Sequence, residues 1–141
     1  MYYGLGCRSV SKIYLPKDYD LDILFKQVYS WKDIINNSSY YNNYTYNKTI
    51  YLMSEEKFFD NGFLILKEST DIGSPIGAVF FEYYENDNTV IKSLKKYSEK
   101  IQCIVGKNIV ENSVEFGNTQ RPSLDDFADK INTLDFLLKL S

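Results

Sequence analysis

Hydrophobic and polar positions divide this chain into short segments. Residues 11–15 alternate polar and apolar side chains and stop at Pro16, as a strand does. Leu21, Leu24, Phe25, Val28 and Tyr29 then recur at helical spacing, with Asp18 or Asp20 placed to cap the turn before them. Residues 36–46 are polar and rich in Tyr, which predicts a loop running into a helix near residues 47–55. Asn61-Gly62 signals a turn, residues 63–67 a strand, and residues 69–75 a loop. Residues 77–84 are almost continuously apolar, as a strand buried on both faces would be. A polar turn at 85–88 leads to Val90, Leu94 and Tyr97 on one helix face, and residues 101–105 read as another short buried strand. Pro122, Leu124 and Phe127, then Leu134, Phe136, Leu137 and Leu138, predict two short C-terminal helices.

Buried strands alternating with helices predict an α/β domain with a mostly parallel sheet flanked by helices. The 141 residues suit one domain, and no repeat or linker divides residues 1–141. The chain begins within a few residues of its first strand, so it is expected to be a piece of a longer protein.

Composition narrows the chemistry. With 16 basic and 19 acidic residues the net charge is -3, without the basic footprint of a nucleic-acid binder. No apolar run approaches the roughly 20 residues of a membrane-spanning helix. The first residues show no charged stretch ahead of a long apolar one, so no leader is expected. Two cysteines, Cys7 and Cys103, make no disulfide framework, which predicts a reducing, cytoplasmic setting. There is no histidine. That removes Ser-His-Asp and Cys-His catalysis and His-based zinc sites.

Cys7 stands out because of its surroundings, Gly4-Leu5-Gly6-Cys7-Arg8, directly before a predicted strand. Glycines permit a tight backbone and close approach of a ligand. Arg8 and Lys12 bring positive charge close in sequence, which favours a thiolate. From the residues alone, Cys7 is either a nucleophile or a small cysteine near a terminus. Cys103 lies between apolar neighbours and is expected in the core. Lys92, Lys95, Lys96 and Lys100 form a basic helix surface, either solvated or facing a phosphate. Tyr40, Tyr41, Tyr44 and Tyr46 are candidates for packing against a partner.

Several stretches carry a resemblance. Gly4-Leu5-Gly6-Cys7, followed by Ser11-Lys12 and a strand, looks like the active-site cysteine segment of aldehyde dehydrogenases. Lys12 stands where Arg is usual there, and Leu5 where Gln is often found. Asp71-Ile72-Gly73-Ser74-Pro75-Ile76 before the next strand is similar to that family's Glu-x-Phe-Gly-Pro-Val segment, with Asp for Glu and Gly for Phe. Phe116-Gly117-Asn118-Thr119-Gln120-Arg121-Pro122-Ser123 and the tail Asp129-Lys130-Ile131-Asn132-Thr133-Leu134 resemble the C-terminus of acyl-CoA reductases. These are relatives of the fatty acyl-CoA reductase of bacterial bioluminescence.

The resemblance implies the fold of an aldehyde-dehydrogenase catalytic domain, an acyl-CoA or acyl-thioester substrate, and NADPH as reductant. It implies Cys7 as the nucleophile that forms an acyl-cysteine, Asp71 as a contact to the cofactor ribose, and Gly6, Gln120 and Arg121 as substrate-binding residues. A homodimer is expected by the same analogy. No glycine-rich nucleotide-binding turn occurs in the sequence, so this chain alone is expected to show no reductase turnover. The competing reading is a non-catalytic α/β interaction or assembly domain.

Overall fold

Four short strands and four α-helices occur among the described residues. The computed structural model describes residues 3–107, 110, 113–124, 126–127 and 131–140. In chain order the elements are β1 (Lys12–Pro16), α1 (Leu21–Val28), a 3-10 segment (Tyr29–Asn36), α2 (Ser38–Met53), β2 (Phe59–Asp60), β3 (Ile65–Glu68), β4 (Ala78–Tyr84), α3 (Asp87–Lys96) and α4 (Thr133–Leu138). The sequence read as a single domain; its contacts divide it into two compact units, Met1–Val90 and Ile91–Ser141, with the boundary inside α3.

The first unit holds the sheet, in the order β1-β4-β3-β2. β1 and β3 both run parallel to β4, and β2 is antiparallel to β3. The mostly parallel α/β expectation therefore holds at this level. Successive strand side chains point to opposite faces. Leu15, Leu66, Val79 and Phe81 accordingly meet Leu21 of α1, with Leu24 and Phe25 packed against them. Ile65 and Ala78 point the other way and meet Tyr40, Tyr44 and Tyr51 of α2. One helix covers each face, giving three layers.

β1 lies at a sheet edge and ends in proline. Phe80 N–H donates to Ser11 O (2.9 Å) and Lys17 N–H to Tyr84 O (2.9 Å), which fixes the phase of the ladder. Ser11, Ile13, Leu15 and Lys17 thus turn their backbones toward β4, while Lys12, Tyr14 and Pro16 turn theirs outward. At an outward position, Pro16 leaves no ladder bond unmade.

α2 departs furthest from the sequence reading. The helix begins at Ser38, inside the stretch expected to be a loop. Asn37 caps it, its side-chain oxygen accepting from Tyr40 N–H (2.9 Å). Tyr40, Tyr44, Asn47 and Tyr51 recur every three or four residues and form its buried stripe. Two of the tyrosines expected to await a partner, Tyr40 and Tyr44, therefore belong to this chain's own core; Tyr41 and Tyr46 are exposed.

In the second unit, residues 101–105 do not form the expected strand. Among the described residues Val105 makes a parallel bridge, to Val114, with Gly106 N–H on Val114 O (3.0 Å) and Val114 N–H on Ile104 O (2.8 Å). Of the two expected C-terminal helices, the second is α4, capped by Asn132, which accepts from Leu134 and Asp135 N–H; the first, around Pro122, Leu124 and Phe127, falls partly outside the described residues. Asp129 and Lys130 of the resembling tail lie outside the described residues. No helix among the described residues is long and apolar enough to cross a membrane.

Candidate functional site

Cys7 occupies the second position of a tight turn, closed by Ser9 N–H on Gly6 O (2.9 Å). The thiol is exposed and unbridged. Just before it lies a separate turn at Gly4, whose φ of 84° is natural only for glycine. A Cβ placed on Gly4 would sit 3.4 Å from the Ile76 side chain, so the backbone packs directly on the β3–β4 connection. Four residues after the thiol, Ser11 Oγ donates to Ile72 O (3.1 Å). Both flanks of Cys7 thus touch the connection that carries residues 71–76. Residues 4–12 and 71–76, far apart in sequence, are neighbours at the N-terminal ends of β1 and β4.

The connection between β3 and β4 has no helix or strand of its own, and side chains hold it. Lys12 Nζ donates to Ser69 O (2.5 Å) and pairs with Glu82 (2.7 Å). Asn47 Nδ2 donates to Ile76 O (3.0 Å) and to Asn43 O (2.9 Å). Ser74 Oγ donates to Ala78 O (2.8 Å). At Gly77, with φ 84°, a Cβ would lie 2.8 Å from Tyr44 Cα, so α2 approaches the backbone itself.

The expected roles meet this geometry unevenly. Lys12 was expected to lend charge to the thiol. Its side chain is instead 4% exposed, and its ammonium is committed to Glu82 and Ser69. Asp71 is exposed on the connection, with its N–H donated to Ser69 Oγ (3.1 Å). Gly6 is part of the thiol turn. Gln120 and Arg121 are exposed residues of the second unit, where Arg121 N–H donates to Asn118 O (2.9 Å). Cys103 is half-buried there, in an irregular stretch rather than in a core strand. Sequence reasoning missed the anchoring by Ser11, Lys12 and Asn47. The available signal was a lysine inside an alternating strand whose equivalent on β4 is two residues from a glutamate.

A second polar cluster pins the β2–β3 turn to α2. Asp60 accepts from Tyr44 Oη (2.8 Å), from Gly62 N–H (2.9 Å) and from Lys48 Nζ (2.5 Å). Burial pushes the Asp60 carboxyl up, but these donors outweigh it and hold the group below its ordinary value. Lys48 is raised by the same bond to Asp60. Burial raises Tyr44, and Asp60 adds to the effect. Burial also carries Tyr40 from 10.0 to about 12, with help from Tyr44. Its hydroxyl donates to Phe63 O (2.8 Å).

At the opposite ends of β1 and β4, Lys17, Asp18, Tyr83 and Glu85 line an open hollow of about 390 Å³. The Lys17–Glu85 ion pair bridges two of its walls. The carboxyl ends of parallel strands are the usual ligand position in open α/β sheets. Here the hollow is shallow, and the groups with reactive chemistry lie at the other end.

No grouping of His, Cys, Asp and Glu among the described residues would hold a metal ion. A dinucleotide's phosphates are commonly held by backbone N–H groups at a helix N-terminus. Asp71 alone, on an open connection, does not build that cradle. The chain matches no family model, no curated protein and no solved structure.

Proposed function

We propose that this chain is the thiol-bearing portion of an acyl-CoA reductase and that Cys7 accepts the acyl group. The observation that carries this reading is the contact of both flanks of Cys7 with the 71–76 connection. In the step proposed, the Cys7 thiolate attacks the carbonyl carbon of an acyl thioester. The tetrahedral intermediate collapses, the C–S bond to CoA breaks, and CoA thiolate leaves. Thioester is exchanged for thioester, so the step needs no reductant. The exposed thiol leaves room for a substrate, and cysteine is already a strong nucleophile near neutral pH. The reduction implied by the resemblance calls for a nicotinamide site that these residues do not build, so acyl transfer is the step this chain can carry. The unbridged cysteines fit a reducing, cytoplasmic setting.

The test is incubation of the 141-residue chain with an acyl-CoA, followed by peptide mass spectrometry. Acylation is expected on the Cys7 peptide, labile to hydroxylamine and absent in Cys7→Ser, with no aldehyde formed on adding NADPH. Acyl transfer confined to Cys103, or absent altogether, sinks the proposal.

One observation favours the assembly reading. Leu134, Phe136, Leu137, Leu138 and Leu140 are all well exposed on and beside α4. Apolar surface of this kind marks contact sites. A homodimer is one form such a contact takes, and sedimentation of the chain over a concentration series distinguishes it from a monomer.

A further inference from the structure

We infer that Lys12 is a positioning residue for the Cys7 site, acting through the β3–β4 connection; this rests on the reading of Cys7 as the working thiol. The argument begins with its burial. A lysine side chain only 4% exposed keeps its ammonium away from most water, and a buried charge needs partners. Lys12 has Glu82 at 2.7 Å, the carbonyl of Ser69 at 2.5 Å, and the ring of Tyr14 at 5.2 Å. These partners divide into two kinds. Glu82 and Tyr14 belong to the strands β4 and β1, which the ladder already fixes. Ser69 is where the connection leaves the ladder: its N–H still donates to Phe81 O (3.1 Å), and its carbonyl, the next group along the chain, binds the lysine.

From Ser69 the chain passes Ile72, held by the Ser11 hydroxyl, and reaches Ile76, which packs on Gly4. Ser11 and Lys12 are consecutive residues at the start of β1 and hold two points of the connection. The same backbone leads back to Cys7 four residues earlier. Displacing the connection at Ser69 or Ile72 therefore displaces the surface against which the thiol turn rests. A neutral side chain at position 12 would leave Glu82 and the Ser69 carbonyl without their donor. Arginine carries the charge and more donors, so it can keep the clamp.

The experiment compares alkylation of Cys7 by iodoacetamide, read by peptide mass spectrometry, in the native chain, in the same chain unfolded by denaturant, and in Lys12→Met and Lys12→Arg. Amide exchange of residues 70–76 is followed in parallel. Alkylation reports thiolate fraction and access, so a preorganised Cys7 differs from the unfolded chain by about threefold or more. Lys12→Met is expected to move the rate toward the unfolded value and to speed exchange in residues 70–76, with α1 exchange unchanged. Lys12→Arg is expected to restore both. If Lys12→Met fails to fold, Ser11→Ala, which removes one hydroxyl from the same clamp, is read in the same way. A folded Lys12→Met, or failing that Ser11→Ala, with native Cys7 rate and native exchange overturns the inference alone. A native Cys7 rate equal to that of the unfolded chain overturns both this inference and the nucleophile reading.

Discussion

The two faces of the sheet are built from different chemistry. Toward α1 the core is Leu15, Leu21, Leu66, Val79 and Phe81, with no polar group among its buried members. Toward α2 it is Tyr40, Tyr44 and Tyr51 around Ile65 and Ala78, with Asp60, Lys48, Lys12 and Asn47 bonded along it. The first face supplies stability through area and packing, which carry no directional information. The second supplies direction: a hydroxyl, an amide or an ammonium fixes one carbonyl at one place. The irregular segments that need placing, the β2–β3 turn and the β3–β4 connection, both lie where the directional groups are. The candidate thiol site borders the second of them.

Substitutions sharpen this contrast, in descending order of effect. Phe81→Ala on the α1 face empties a fully buried site and should cost about 4 kcal/mol in denaturant unfolding. On the α2 face, Gly77→Ala sets a Cβ against the Tyr44 backbone at positive φ and should cost about 3 kcal/mol, by overpacking and strain. If it costs less than the small penalty of an ordinary surface change, α2 does not approach the connection as described.

The third is a pH effect. The folded-state pKa of Tyr40 is raised, so the folded protein prefers the neutral hydroxyl. That contribution is complete below the ordinary value of 10.0 and is lost as pH rises through about 12. Across that window the native chain should lose about 2 kcal/mol more than Tyr40→Phe, whose ring has no proton to give up. Equal losses in the two proteins would show that Tyr40 is not the buried phenol the α2 face requires. The smallest effect belongs to the exposed Lys17–Glu85 pair, where Lys17→Ala should change stability by no more than about 0.5 kcal/mol.

The α1 face was legible in the sequence and the α2 face was not, for one reason. Leucine, valine and phenylalanine declare burial by type, so β4 and α1 followed from pattern alone. Tyrosine does not. In the segment Ser38–Met53, tyrosines and asparagines occupy buried and exposed positions alike, so no amphipathic stripe distinguishes helix from polar loop. Spacing among Tyr40, Tyr44, Asn47 and Tyr51 was the available clue. Ile101 to Val105 failed in the opposite sense: an apolar run looks like a strand whether or not a partner strand exists, and among the described residues its pairing is the single bridge from Val105 to Val114. At the site, the Cys7 turn and the 71–76 loop were visible as segments. Their adjacency was not, because it depends on the parallel pairing of β1 with β4 and on two side-chain bonds from consecutive residues.

Pro16 has a consequence for how this sheet can grow. Among the described strands β1 pairs only with β4, and on its outer rim Pro16 offers a carbonyl with no N–H beside it. A foreign strand that began to dock there would find no donor at Pro16. The rim is a template cut short, and a growing stack of such sheets would lose a bond at every layer. A single ring closure at the end of a five-residue strand thus protects the chain against edge-to-edge aggregation.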